Sequence, residues 1–228
     1  MSTVKDPQIQ SRLERTKQYT SAQVFEKVKS SSELTWTILK EAKAILHPGI
    51  SESQAVLKIK ALMQEFKIDR IWHPPYVRFG KHTLLQFHQV AAEDLTLQEN
   101  DIAFIDLGIV KDGVEGDAGL TLAFGNNPEY INLLNATEQI FQEGRDYWLT
   151  HDPTGIELYN YILTRTEQLG HSFNLDPAGH LIGAYPHMGW RKGLNTFPEK
   201  ISAGHWILEI QIRHPTLPFG GFYESLLI

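Results

Sequence analysis

The sequence predicts one α+β domain made of two halves of like make-up, each a pair of helices followed by antiparallel strands. Two capping-box signatures each follow a longer helical stretch, and two pairs of apolar, strand-like runs are each joined by a turn-forming segment. No linker or low-complexity stretch separates the halves, so the 228 residues are expected to share a full hydrophobic core. No sequence repeat underlies the symmetry.

In chain order, residues 1–20 read as a polar lead-in, with the domain proper over residues 21–228. Ser21 is placed to cap a helix running to about Leu46, with Val24, Val28, Leu34, Ile38 and Ala42 on one stripe. His47-Pro48-Gly49 ends it. Ser51 and Gln54 form a capping box opening a helix to about Phe66. An extended pattern follows from Arg70 to Val90, bent at Pro74-Pro75 and at Gly80.

Residues 101–124 read as a hairpin turning at Lys111-Asp112-Gly113. Asn127 and Pro128 suit the cap and first position of a helix over 128–149. Thr154 and Glu157 open another, to about Leu169. A Gly/Pro-rich loop over 176–193 leads to the strands HWILEIQIRH and GGFYESLLI, joined through Pro215 and Pro218.

A hydrophobic fraction of 42% with 21% charged residues fits a soluble enzyme, and a net charge of −6 argues against nucleic acid or an anionic membrane as partner. With no cysteine, disulfides, thiolate ligands and a cysteine nucleophile are excluded. The N-terminus lacks an apolar signal core, and no run of about 18 apolar residues occurs, so a cytoplasmic location without a membrane span is expected.

The chemistry is concentrated in five residues: Asp106, Asp117, His180, Glu209 and Glu224. If the first hairpin turns at Asp112-Gly113, Asp106 faces Gly119 and Asp117 faces Gly108. The two aspartates then become diagonal neighbours on one face, roughly 7–8 Å apart. The facing glycines leave room there for a ligand. Ile105, Leu107 and Ile109 point to the opposite face, into the core. A hairpin centred between Thr216 and Leu217 sets Glu209, the lone acid of WILEIQI, directly opposite Glu224.

Either acid pair alone is compatible with charges on a solvated edge. Two such hairpins in one chain point instead to a shared cation, because like charges held together away from water cost several kcal/mol. Oxygen and nitrogen ligands of this kind suit manganese, iron, cobalt or zinc. The pattern is that of a metal-dependent hydrolase. His180 and His187 lie in the Gly-rich segment DPAGHLIGAYPHMGW, and His88 ends the run YVRFGKHTLLQFH. His73 and His82 are left without a role; His171, His205 and His214 are read as structural.

The stretches IDLGIVKDGVEGDAG, GHLIGAYPHMG, ILEIQ and FYESLLI together resemble the pita-bread metallopeptidases, a family that includes methionine aminopeptidase, aminopeptidase P, prolidase and creatinase. The resemblance implies a pita-bread fold: two pseudo-symmetric αα-ββ halves around a curved antiparallel sheet. It also implies two divalent ions, manganese first and cobalt, iron or zinc as alternatives. Asp106 would hold one ion, His180 and Glu209 the other, with Asp117 and Glu224 bridging. His88 and His187 match outer histidines that contact substrate, and Glu209 would also carry a proton during catalysis. The implied activity is hydrolysis of the N-terminal bond of Xaa-Pro peptides through a metal-bridged hydroxide, by an enzyme that forms a homodimer.

Some positions depart from the family pattern. Ile210-Gln211 stands where Pro-Gly is common, Phe222 where the proline-specific enzymes often carry arginine, and Phe79-Gly80-Lys81-His82 where Ser-Gly-x-Asn is usual, with a spacing to His88 one residue longer than the family's. Nor is there room for the N-terminal domain of aminopeptidase P and prolidase. Methionine aminopeptidase, a creatinase-like amidinohydrolase and a non-catalytic binding module therefore stand as alternatives.

Overall fold

The computed structural model describes residues 7–175, 178–187 and 189–228. A seven-stranded antiparallel sheet runs in the order β1-β2-β3-β7-β6-β4, with β5 also paired to β6. Its strands are β1 (Arg70–Phe79), β2 (Ile102–Lys111), β3 (Val114–Ala123), β4 (Ser172–Phe173), β5 (Gly179–Leu181), β6 (Trp206–Arg213) and β7 (Gly220–Leu226). The helices are α1 (Pro7–Tyr19), α2 (Ala22–Ala42), α3 (Glu52–Glu65), α4 (Pro128–His151) and α5 (Gly155–Gln168). Two helix pairs, α2–α3 and α4–α5, thus each precede antiparallel strands, as the sequence predicts.

Both capping boxes form as read, Ser51 with Gln54 and Thr154 with Glu157, and Asn127 caps α4 ahead of Pro128. Ser21 precedes α2 but makes no side-chain cap hydrogen bond. The residues read as a polar lead-in carry α1, whose Leu13 and Tyr19 enter the same core cluster as Leu133, Ile140 and Trp206.

Strand alternation decides which face is chemical. Ile105, Leu107 and Ile109 of β2 pack with Ile38 and Leu39 of α2 and Ile59 and Met63 of α3. Leu208, Ile210 and Ile212 of β6 pack with Ile140 of α4 and Ile162 of α5. Full burial of each such side chain contributes about 1.5–3 kcal/mol. The intervening residues, Asp106 among them, point to the other face of the sheet.

The first hairpin has the expected register, Asp106 opposite Gly119 and Gly108 opposite Asp117. Asp112 and Gly113 turn it at φ 51° and 73°, the pair of positive values a two-residue hairpin loop requires. The second hairpin sets Glu209 opposite Glu224.

Three expectations need correction. The extended run does not continue to Val90: it stops at Phe79, where a 3-10 turn over Gly80–Leu84 takes over. Glu52 fastens that turn, accepting from the Phe79 amide at 2.7 Å and facing His82 Nδ1 at 2.9 Å. The 176–193 segment is not wholly loop, since β5 pairs with β6 and places His180 opposite Ile207; Asp176, Pro177 and Met188 lie outside the described residues. The space facing Asp106 and Asp117 is not open either. A Cβ on Gly108 would lie 2.2 Å from the His73 ring, and one on Gly119 would lie 2.3 Å from the Phe222 ring.

Candidate metal centre

A cavity of about 390 Å³ opens on the carboxylate face of the sheet. Its floor holds Asp106, Asp117, His180, Glu209 and Glu224, all five residues singled out from the sequence. Adjacent strands supply them: Asp106 from β2, Asp117 from β3, Glu224 from β7, Glu209 from β6 and His180 from β5. Gly119 pairs with Glu224 across β3 and β7, which joins the two hairpins into one surface.

His73 completes the floor. Pro74-Pro75 interrupt β1 and shift its register on both sides of His73, which pairs with Gly108. Prolines are tolerated there because β1 is an edge strand. The bulge swings the imidazole over Gly108, bringing Nε2 to 3.2 Å from Asp117 Oδ1 and 3.5 Å from Asp106 Oδ1.

The two floor histidines are held alike. His73 Nδ1 is 3.0 Å from the Pro74 carbonyl, and His180 Nδ1 is 3.1 Å from the Leu181 carbonyl. Each Nδ1–H is therefore donated to backbone and Nε2 is turned toward carboxylates, the orientation of a metal-ligating imidazole. His180 Nε2 sits 3.3 Å from Asp117 Oδ2 and 3.6 Å from Glu224 Oε1.

Electrostatics across the floor are strained without a cation. Burial, with the neighbouring carboxylates, pushes Asp106 up to about 8 and Glu224 well above the usual range. Burial likewise raises Glu209 to about 7. Asp117 goes the other way, to about 2: burial opposes this, but the imidazoles of His73 and His180 outweigh it. Those imidazoles are raised in turn by their carboxylates, against the effect of burial, His73 to about 10.

The residues present fit divalent metal. Asp106 Oδ1 and Glu224 Oε1 are buried with no hydrogen-bond partner among the described residues. Among the described residues, two groups each bring their potential ligand atoms within 4.8 Å of one another: His73 with Asp106 and Asp117, and Asp117 with His180 and Glu224. Asp117 belongs to both.

The cavity walls are aromatic and the rim is basic: Trp72, Tyr76, Phe87 and Trp190 line it, with Arg191 and Lys192 beside them. His187 lines it too. Its ring stacks on Trp72 at 6.4 Å between centroids.

The structure does not bring His88 to this cavity. With the strand ended at Phe79, residues 86–89 form a turn in which the Gln86 backbone amide donates to the Gln89 side-chain Oε1 at 2.8 Å. His88 is exposed there, edge-on to Phe87, and it is Phe87 that reaches the cavity. His82, the other unassigned histidine, is buried against Glu52 instead.

Two residues escaped the sequence reading. His73 was legible only as a histidine before a double proline. Glu115, fully buried and 3.2 Å from His187 Nδ1, had a better signal: in VEGDAG it lies two residues before Asp117, on the same face of a strand.

Comparison with known proteins agrees with this architecture. The chain is 23% identical over 178 residues to the methionine aminopeptidase of Aquifex aeolicus, covering 73% of this chain and 69% of that one. The prolidase of Pyrococcus horikoshii superposes with a TM-score of 0.80 at 19% identity, over 95% of this chain. This chain spans only 62% of that prolidase's length. The methionine aminopeptidase of Thermotoga maritima superposes with a TM-score of 0.68 at 16% identity, over 90% of this chain and 92% of its own. The fold is thus the pita-bread fold of these enzymes. Residues 26–210 match the metallopeptidase family M24, and the chain belongs to that family.

Proposed function

We propose that the chain is a dinuclear metal-dependent aminopeptidase or dipeptidase that hydrolyses the N-terminal bond of short peptides, of Xaa-Pro type. The observation that carries this is the sharing of Asp117 between two adjoining groups of candidate ligands, which suits a pair of cations and not one. His73 and Asp106 would serve one cation, His180 and Glu209 the other, with Asp117 and Glu224 between them. Manganese is the first metal to test. Divalent cations bound at such a centre act as Lewis acids and lower the pKa of water toward neutrality.

The chain's own groups supply the rest. Glu209, in the cavity floor beside the proposed cations, would take a proton at its carboxylate and pass it to the leaving amine. His187 lines the cavity and would contact a bound peptide. Trp72, Tyr76 and Trp190 form apolar walls that keep water from the reacting bond.

Methionine aminopeptidase activity is the second reading, supported by the 23% identity over 178 residues to the Aquifex methionine aminopeptidase. Replacing Asp106 or Glu224 by alanine tests the centre. Turnover should vanish while the far-ultraviolet circular dichroism is retained, and full activity in either variant contradicts the proposal. Comparing Xaa-Pro with Met-Ala peptides separates the two specificities.

A further inference from the structure

Glu115 is a fully buried carboxylate that the proposed chemistry leaves unused. It stands on β3, 0% exposed, on the same face as Asp117, and its Oε2 is the centre of a small network. The Gly183 amide donates to it at 3.1 Å, and the Tyr19 hydroxyl donates to it as well. His187 Nδ1 lies 3.2 Å from the same oxygen and 3.1 Å from the Tyr19 hydroxyl.

Tyr19 is seated for this contact. Its ring rests on two glycines that bracket the His187 segment: a Cβ on Gly183 would lie 2.5 Å from the ring, and one on Gly189 would lie 3.0 Å from it. Tyr19 is only 6% exposed, at the end of α1. The first helix thereby reaches the cavity wall through one side chain.

A carboxylate beside Nδ1 holds hydrogen on that nitrogen and fixes the ring plane. Among the described residues the other nitrogen, Nε2, has a 3.4 Å contact with the Trp190 carbonyl; with hydrogen on Nδ1 it is left as an acceptor for a bound substrate.

We infer that Glu115 and Tyr19 are positioning residues for His187, orienting its imidazole toward the substrate and choosing its tautomer, so that α1 is part of the working site. The inference rests on the peptidase reading for its effect on turnover, but the orientation itself can be observed without any substrate.

Two readouts separate those dependencies. In the zinc-loaded protein, nitrogen-15 spectra should show His187 with hydrogen on Nδ1, and Glu115→Ala should replace that state by a mixture of tautomers. In peptide hydrolysis, Glu115→Ala should lower kcat by about 10- to 100-fold, the usual range for partners that orient a functional imidazole. KM and metal stoichiometry should stay near wild type. In a His187→Ala background, adding Glu115→Ala should change kcat by less than about twofold, since residues acting through one group are not additive.

Tyr19→Phe, which deletes only a hydroxyl, carries the same test should Glu115→Ala not fold, with a loss of about three- to tenfold in kcat. A His187 tautomer unchanged in these variants overturns the inference even if peptides are cleaved, as do multiplicative effects of Glu115 and His187 substitutions. A tautomer that changes as described supports it even if the protein cleaves none of the peptides, in which case the peptidase reading alone fails.

Discussion

Glu209 and Glu224 stand directly opposite each other across the β6–β7 ladder, two acids facing between the pairs Leu208–Ser225 and Ile210–Tyr223. Opposed like charges destabilise a sheet unless a cation lies between them. Glu224 is also buried, and Asp117 and Asp106 reinforce the repulsion. This arrangement favours bound metal over folding stability in its absence.

Removing one of the opposed acids should therefore stabilise the metal-free protein. Glu224→Gln is expected to gain about 1 kcal/mol, a rise of roughly 2–4 °C in melting temperature for a chain of this size. The same variant should lose most of the further stabilisation that wild type gains from manganese. Differential scanning calorimetry with and without metal reads both effects.

Stability of the metal-free protein should fall as pH rises. Asp106, Glu209 and Glu224 are raised in the folded state by burial, and His73 and His180 by their carboxylates against burial. Groups with raised folded values contribute stability that is complete below their unfolded values and is lost as pH climbs through the folded ones. The folded values run from about 7 for Glu209 through about 8 for Asp106 to about 10 for His73. Asp117, lowered to about 2, has the opposite sign, but its contribution is lost only on acidification. Melting temperatures from pH 6 to 9 should drop by several degrees without metal and stay nearly level with saturating metal. Metal binding near pH 7 should also release protons, measurable by calorimetry in buffers of differing ionisation enthalpy.

The two histidines of the upstream segment should behave oppositely. His73→Ala is expected to lower metal affinity or turnover by about 10- to 100-fold, because Nε2 faces both Asp106 and Asp117. His88→Ala should change either by less than about threefold, its ring being exposed on the outer turn. Gly108→Ala should mimic His73→Ala, since a Cβ there meets the imidazole at 2.2 Å. Metal titrations and steady-state kinetics on the three variants check this together.

The contrast between His73 and His88 shows what the sequence makes legible. Period-2 alternation and turn chemistry are enough to set the registers of both hairpins, placing Asp106 diagonal to Asp117 and Glu209 opposite Glu224; the β3–β7 pairing that joins the two pairs into one surface is not encoded there. The pairing of β5 with β6, which brings in His180, depends on contacts between distant segments. His73 depends on a bulge made by Pro74-Pro75, and a bulge re-aims a side chain in a way that alternation does not encode. Tyr19 illustrates a different limit: α1 reads as polar, and only tertiary packing shows that its last residue reaches Glu115.

The most direct measurement is hydrolysis of Xaa-Pro and Met-Ala peptides by metal-free protein titrated with manganese, with bound metal counted in parallel. Cleavage of one peptide class, rising as the second equivalent of metal binds, is the expected result. Two equivalents bound with neither peptide cleaved would contradict the peptidase assignment, and no metal bound at millimolar concentration would contradict the metal centre itself.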